Sequence, residues 1–186
     1  QYAKEILTKQ FGCGLDGVLL SRQDRVVGIL NGIDYDCWNP ETDQSLQSTY
    51  SAKNFENKYI NKSELQKAFH LPQKKDVPIF GYVGRLAQQK GMDIVAAAIN
   101  DIVKLDLPLV VFGIGEERYH TLLKDWAKQY PDKVACQLAF DEGIAHNVYA
   151  GSDLFLMPSW FEPCGLSQMI SLRYGTIPLA HKIGGL

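Results

Sequence analysis

Short apolar segments alternate with amphipathic ones along the second half of the chain. The apolar segments are rich in β-branched and aromatic residues and predict strands at 79–83, 107–112, 134–138, 154–157 and 177–180. Between them, apolar residues at helical spacing predict helices over 92–104, 117–130, 142–150 and 166–174. A strand followed by a helix and another strand requires parallel pairing through right-handed crossovers. The pattern therefore predicts an α/β fold, a Rossmann-like parallel sheet with helices on both faces.

The first part of the chain has a less regular pattern. Residues 2–10 have helical spacing, whereas residues 26–30 are apolar and β-branched, as is typical of a strand, and lead into an Asn-Gly turn. Residues 34–61 are polar and aperiodic, which favours a surface connection, and a short helix is predicted over 63–69. Because the chain opens inside a helical pattern without methionine, we expect it to be a piece of a longer protein.

Composition excludes several function classes. The chain has 186 residues and a formal net charge of -2, so its overall charge does not favour nucleic acid as a partner. No apolar segment is long enough to span a bilayer and no signal pattern opens the chain, so we expect no membrane partner and a cytoplasmic location. The four cysteines form no C-x-x-C pair and the four histidines lie on different predicted elements, which predicts neither a metal site nor a cofactor.

Two loops at the carboxyl ends of predicted strands carry the candidate chemistry. In open α/β sheets this edge holds the ligand, and a helix N-terminus there offers unpaired N–H groups to an anion. The loop after the fourth strand contains Glu162 and Gly165, and the loop after the first strand contains Arg85 and Lys90 between glycines. A planar guanidinium and a compact ammonium group together suit a diphosphate. Solvated surface side chains are the plainer interpretation of the same two cations.

The motifs in these loops, with others before and after them, resemble those of bacterial glycogen synthases and plant starch synthases. The matching segments are Ile29-Leu-Asn-Gly-Ile-Asp34, Cys37-Trp-Asn-Pro-Glu-Thr-Asp43, Gly84-Arg-Leu-Ala-Gln-Gln-Lys-Gly91, Phe161-Glu-Pro-Cys-Gly-Leu166, Arg173-Tyr-Gly-Thr-Ile-Pro178 and Gly184-Gly-Leu186. The resemblance covers nearly the whole chain. It implies a two-domain GT-B enzyme of which this chain forms the C-terminal half.

The resemblance also implies a domain organisation and a reaction. Residues 1–25 would be a remnant of the preceding N-terminal domain, 26–76 an interdomain link with a short helix, and 77–186 a nucleotide-sugar-binding Rossmann-like domain truncated at its C-terminus. The family transfers glucose from ADP-glucose to the non-reducing end of an α-1,4-glucan with retention of configuration. The implied partners are therefore ADP-glucose or ADP, the glucan acceptor and the missing N-terminal domain, and ADP rests on the resemblance alone.

Roles for individual residues follow from the same resemblance. Arg85 and Lys90 match the cations that stabilise charge on the departing ADP, and Glu162 matches the carboxylate that contacts the glucosyl unit. The implied donor-binding residues are Gly84, Phe140, Cys164, Gly165, Leu166 and Ser167. Phe140 either stacks on the adenine or packs in the core. Many GT-B relatives have a glutamate for the ribose where this chain has Ile170, so no ribose partner is identified.

Other interpretations remain open. A catalytically silent module could use the same fold to bind nucleotide or glucan, and another GT-B enzyme could use a UDP-sugar. The Gly113-Ile-Gly115 segment could begin a dinucleotide fingerprint, but Arg118 stands where the third glycine is required. Asp34-Tyr-Asp36 has the D-x-D form of metal-dependent glycosyltransferases, but its position after Asn31-Gly32 favours a turn. Binding of ADP, UDP and NAD separates these alternatives.

Overall fold

The computed structural model describes residues 1–186 and contains one five-stranded sheet. Its strands are β1 (Phe80–Val83), β2 (Leu109–Phe112), β3 (Val134–Gln137), β4 (Leu154–Met157) and β5 (Ile177–Ala180). All neighbouring strands pair in parallel, in the order β3-β2-β1-β4-β5. The Rossmann-like parallel sheet predicted from the pattern is confirmed.

Seven α-helices accompany the sheet. They are α1 (Tyr2–Glu5), α2 (Asp16–Leu20), α3 (Lys58–Ala68), α4 (Met92–Lys104), α5 (Glu117–Gln129), α6 (Glu142–Gly151) and α7 (Ser167–Arg173). Short 3-10 turns occupy Gln23–Arg25, Phe55–Asn57 and Gln88–Lys90. None of the helices combines the length and the apolar character that crossing a membrane requires.

Alternate residues of the strands contribute side chains to two apolar layers, one on each face of the sheet. Val110 and Phe112 lie in the layer that also contains side chains of α3, α6 and α7, whereas Leu109 and Val111 lie in the layer with α4 and α5. Neighbouring strand residues point to opposite faces, so a strand covered on both sides must be apolar throughout. This is why β2 is buried at every position.

The prediction of a strand over residues 26–30 is wrong. The structure has no strand there, and the side chains of Val27, Ile29 and Leu30 are 77%, 87% and 73% exposed. A strand is stabilised by a hydrogen-bonded neighbour and by burial of one face, and this segment has neither. The helix predicted over 2–10 is also shorter than expected, since α1 ends at Glu5.

The segment before the sheet is packed more closely than its polar composition indicates. Helix α3 begins at Lys58, before the predicted start at residue 63, and lies against α6, where a Cβ on Gly151 would come within 2.6 Å of the Cβ of Leu65. Lys58 is 7% exposed, and its Nζ donates to the carbonyls of Ala150 (2.7 Å) and Tyr174 (3.0 Å). Buried polar side chains thus attach this helix to the sheet domain.

Candidate active site

The candidate site lies where the strand order reverses. β1 occupies the middle of the sheet, with β2 on one side and β4 on the other, so the loops after β1 and β4 meet at the carboxyl edge. A crevice opens at such a reversal because consecutive crossovers leave in opposite directions. Both predicted loops, 84–91 and 158–166, are at this position.

An ion pair joins the two loops. Lys90 Nζ lies 2.5 Å from Glu162 Oε2, and Ser159 Oγ donates to the same oxygen at 3.0 Å. The Glu162 side chain is 9% exposed and that of Lys90 28%. Removing one partner from a buried pair leaves an uncompensated charge, so each holds the other in the crevice. Glu162 Oε1 makes no hydrogen bond within the chain and remains available as an acceptor.

Arg85 is linked to the second loop indirectly. Its guanidinium donates to Gln89 Oε1 at 2.9 Å, and Gln89 Nε2 donates to the carbonyl of Phe161 at 3.3 Å. The backbone carbonyl of Gln89 also accepts from Trp160 N at 3.0 Å. The structure therefore brings Lys90 and Glu162 into contact and places Arg85 one residue removed from them, on the same edge.

Glycines allow the loops to approach one another. Gly91 has a φ of 76°, and a Cβ there would lie 2.1 Å from the carbonyl oxygen of Pro158. A Cβ on Gly113 would lie 2.0 Å from the carbonyl oxygen of Gly84. The Gly-x-Gly segment after β2 thus serves close packing of the β1 and β2 loops.

A cavity of about 460 Å³ opens beside Arg85. Its wall includes Gly84, Trp38, Phe112 and Phe140. Phe140 is 88% exposed, so of its two interpretations the one in which it packs in the core is wrong, and its ring lies at the wall of this cavity. An apolar cavity with an exposed aromatic ring suits a planar, apolar-faced ligand.

A smaller pocket of about 50 Å³ adjoins the cavity. It is lined by Lys90, Glu162, Ser159 and Ser167, and it shares Gly84 with the larger cavity. Gly84 therefore lies where the two spaces meet. Of the other predicted residues, Arg85 and Phe140 line the cavity and Lys90, Glu162 and Ser167 line the pocket, whereas Cys164, Gly165 and Leu166 line neither.

The turn into α7 leaves its first amides unpaired. The N–H groups of Gly165, Leu166 and Ser167 donate to no acceptor within the chain. Gly165 has a φ of 74°, and the carbonyl of Cys164 accepts from Gln168 Nε2 at 3.1 Å. The residue at the N-cap is Leu166, which makes no side-chain capping bond, and Ser167 is already the first helical residue. Ser167 therefore does not cap α7, and it lines the small pocket.

Two tyrosines near the site are held in the protonated form. Burial raises the pKa of Tyr82, and the neighbouring Glu162 carboxylate raises it further. The Tyr82 hydroxyl donates to the carbonyl of Arg85 at 3.0 Å. Burial also raises the pKa of Tyr149 to about 12, although a hydrogen bond with Ser167 acts in the opposite direction. Both hydroxyls therefore remain hydrogen-bond donors across the physiological pH range.

The aromatic residues before Glu162 have structural contacts. Phe161 stacks on Phe11 with ring centroids 5.8 Å apart and meets Tyr2 edge-on at 5.5 Å. Trp160 Nε1 donates to both carboxylate oxygens of Asp93 at 2.9 Å. Neither residue lines the cavity or the pocket.

Sequence reasoning did not identify a buried polar cluster beside the cavity. Asp43 Oδ2 lies 2.6 Å from His146 Nδ1 and accepts from the Tyr174 hydroxyl at 2.5 Å. Hydrogen bonds from these partners lower the pKa of Asp43 although burial acts against them. The Trp38 ring stacks on His146 with centroids 4.1 Å apart. The only sequence signal was one aspartate in a polar segment, which did not indicate a partner.

Comparison with known proteins agrees with this geometry. Residues 63–186 match the family described as Glycosyl transferases group 1. Over 185 residues the chain is 50% identical to glycogen synthase of Thermosipho africanus (strain TCF52B). The alignment covers 100% of this chain and 38% of that protein. Glycogen synthase 1 of Geobacter sulfurreducens is 49% identical over 185 residues, with 37% of that protein covered.

A solved structure is similar over the same extent. The catalytic domain of starch synthase IV from Arabidopsis thaliana, bound to ADP and acarbose, superposes with a TM-score of 0.92 and 40% identity, covering 100% of this chain and 38% of that chain. The resemblance predicted from the motifs is therefore confirmed. The chain spans less than two fifths of the length of the relatives it matches.

Proposed function

Because this chain belongs to the group 1 glycosyl transferases, we propose that it is the donor-binding part of a retaining hexosyltransferase of the glycogen synthase type. The reaction is transfer of glucose from ADP-glucose to the non-reducing end of an α-1,4-glucan. The observation that carries the proposal is the Lys90–Glu162 ion pair, at 2.5 Å, in the crevice between β1 and β4. A cation and a carboxylate side by side match a ligand that joins an anionic diphosphate to a neutral sugar.

The diphosphate would bind near Gly84, where the cavity and the small pocket meet. Lys90 supplies positive charge from the pocket and Arg85 from the cavity, and the unpaired amides of 165–167 supply donors from the β4 loop. As the bond to glucose breaks, negative charge grows on the departing ADP. Fixed donors aimed at that charge lower the barrier because they need no reorganisation during the reaction.

The glucosyl unit would meet Glu162. Lys90 and Ser159 occupy Oε2, so Oε1 can accept hydrogen bonds from sugar hydroxyls. A carboxylate in this place orients the ring and stabilises positive charge that develops at the anomeric carbon. Since Glu162 has no second carboxylate beside it, the site lacks the acid and base pair with which glycosidases activate water.

The nucleoside would occupy the larger cavity. Its volume of about 460 Å³ falls in the range of small-molecule sites, and its lining includes Phe112 and the exposed Phe140. Adenine stacking on Phe140 is the interpretation that its 88% exposure supports. Because the cavity and pocket share Gly84, one extended ligand can occupy both.

The rest of the function requires parts beyond this chain. The acceptor α-1,4-glucan and a preceding N-terminal domain, which would close over the donor, belong to the same proposal, as do a cytoplasmic location and the division at residues 25 and 76. Closure excludes water and brings acceptor to donor. We therefore expect the chain alone to bind donor nucleotide without elongating glucan.

Calorimetric titration with ADP, UDP and NAD tests the proposal. We expect ADP to bind more tightly than UDP, and NAD not to bind. Phe140→Ala should weaken ADP binding roughly tenfold or more through lost stacking, with no change in melting temperature because the ring is exposed. Leu105→Ala is the matched control, since Leu105 is 64% exposed at the far end of α4. Preference for UDP would assign another donor, and failure to bind any nucleotide would refute the proposal.

A further inference from the structure

A second cluster of chemically active side chains lies beside the cavity. The thiol of Cys37, a carboxylate oxygen of Glu142 and a ring nitrogen of His146 all lie within 4.8 Å of one another. Glu142 also lines the larger cavity, whereas Cys37 and His146 line neither the cavity nor the small pocket, and none of the three has a role in the proposed glucosyl transfer. The cluster was not predicted from spacing because Cys37 is far from the other two residues in sequence.

Helix α6 supplies two of these groups on one face. Glu142 opens the helix and His146 follows four residues later, a spacing that places side chains one above the other. Asp141 fixes the start of the helix, since its carboxylate accepts from Ile144 N at 3.0 Å. The Glu142 and His146 side chains are therefore presented together by a rigid element.

The third group is fixed by a turn. Asp34 Oδ1 accepts from Asp36 N at 2.9 Å and from Cys37 N at 3.4 Å, which confirms that the D-x-D segment is a turn. The next residue, Trp38, stacks on the His146 ring. Cys37 thus directly precedes the residue that packs on the imidazole, and its thiol lies within 4.8 Å of a ring nitrogen of His146.

The orientation of His146 suits metal binding. Nδ1 lies 2.6 Å from the buried Asp43 carboxylate, which holds the proton on Nδ1 and leaves the lone pair on Nε2. Nε2 has no hydrogen-bond partner within the chain. A carboxylate behind a histidine is the arrangement that fixes the tautomer of metal-binding imidazoles.

We propose that Cys37, Glu142 and His146 form a zinc site, with Asp43 as the positioning residue behind the histidine. A thiolate, an imidazole and a carboxylate are ligands of Zn²⁺, whereas Mg²⁺ and Ca²⁺ prefer oxygen alone. Zn–N and Zn–S bonds of about 2.0 and 2.3 Å place tetrahedral ligands roughly 3.3–3.7 Å apart. The side chains of Cys37 and Glu142 are at the surface and can close the remaining distance.

The surrounding charge favours a cation. The carboxylates of Glu142, Asp34 and Asp43 all act electrostatically on the Cys37 thiol. These carboxylates attract a divalent ion at the thiol, and the ion stabilises the thiolate more strongly than the carboxylates oppose it. On binding, the thiol releases its proton to solvent as the S–Zn bond forms.

Zinc titration of the 186-residue chain, reduced and freed of metal with a chelator, tests the site. We expect one Zn²⁺ per chain, unaffected by excess Mg²⁺, and with Co²⁺ a thiolate charge-transfer band in the near ultraviolet. Cys37→Ser should abolish that band, and Glu142→Gln should weaken zinc binding at least about tenfold. Asp43→Asn should weaken it about 10–100-fold if Asp43 positions the ring.

The exposed Cys13 is the matched control. Cys13→Ser should retain the cobalt band and the zinc affinity, and zinc should slow alkylation of Cys37 without protecting Cys13. Circular dichroism of each variant verifies folding, and wild-type protection of Cys37 remains decisive where a variant is unfolded. No stoichiometric zinc binding, or equal binding by wild type and Cys37→Ser, would overturn the proposal. These readouts use no nucleotide and are independent of the proposed function.

Discussion

Lys58 is a buried cation without a paired carboxylate, and its ionisation should govern how stability varies with pH. It is 7% exposed, and its Nζ donates to Ala150 O, Tyr174 O and Thr176 Oγ1 at 2.7, 3.0 and 2.8 Å. Burial lowers its pKa from 10.5 to about 7, while Asp153 acts in the opposite direction and Lys62 adds to the lowering. The folded chain therefore releases this proton more readily than the unfolded chain.

The sign of the pH dependence of stability follows from the number of protons that each state binds. Between about pH 7 and pH 10.5 the unfolded chain keeps the Lys58 proton and the folded chain loses it. Since the unfolded state binds more protons, stability rises with pH across this window and is constant below it. The whole shift corresponds to about 5 kcal/mol, with a slope of up to about 1.4 kcal/mol per pH unit.

Urea unfolding of wild type and Lys58→Met measures this slope. From about pH 7 to about pH 9, below the range in which tyrosines ionise, we expect wild type to gain about 2–3 kcal/mol relative to the variant. The comparison between variants cancels the opposing effect of the Cys37 and Cys136 thiols, whose raised pKa values lower stability at higher pH. Lys53→Met, at an exposed lysine, should keep the wild-type slope.

The free energy of unfolding at a single pH tests the pKa of Lys58 less well than the change of that free energy with pH. In Lys58→Met the carbonyl of Ala150 loses a donor, at a cost of roughly 1–3 kcal/mol, while the desolvation of the ammonium group is relieved. Tyr174 O still accepts from the Tyr50 hydroxyl at 2.8 Å. Parallel slopes for wild type and Lys58→Met would show that Lys58 keeps its proton in the folded chain, which would refute the reasoning.

Two further predictions concern the crevice. Gly91→Ala should cost about 2–4 kcal/mol, measured by thermal unfolding, because its φ is 76° and its Cβ would lie 2.1 Å from Pro158 O. Gly17→Ala lies in α2, where a Cβ meets nothing within 4 Å, so it should cost nothing or stabilise slightly, and equal losses for the two variants would contradict the argument. In a longer protein that contains this segment, Lys90→Ala or Glu162→Ala should lower kcat about 10²–10³-fold with a smaller change in KM. A change confined to KM would assign both residues to ground-state binding.

The regular part of the fold could be predicted because local and global signals agree there. The bounds of α4, β4 and β5 are as predicted. Residues that interrupt regular structure mark two of these bounds, with Gly91 before α4 and Pro158 after β4. The carboxyl-edge position of Glu162 follows from topology alone, since every parallel strand ends at the same edge.

Contacts between distant segments could not be predicted in the same way. Residues 26–30 have the composition of a strand, but strand formation depends on a partner that the segment itself does not encode. Asp43 and His146 meet across 103 positions of sequence, and nothing around Asp43 signals the histidine. Lys58 looked like any polar residue of a surface connection, and its burial follows from how α3 lies on α6.

The arrangement of the charged side chains in the crevice depends on backbone contacts between its loops. Lys90 and Glu162 can stand 2.5 Å apart only if the β1 and β4 loops touch, and Gly91 permits that contact because it has no side chain toward Pro158. On the far side, a Cβ on Gly184 would lie 1.9 Å from the carbonyl oxygen of Glu162, so the chain after β5 supports the same loop. A charged pair held in this way is preorganised, because the cost of bringing the two groups together is met during folding and not when the donor binds.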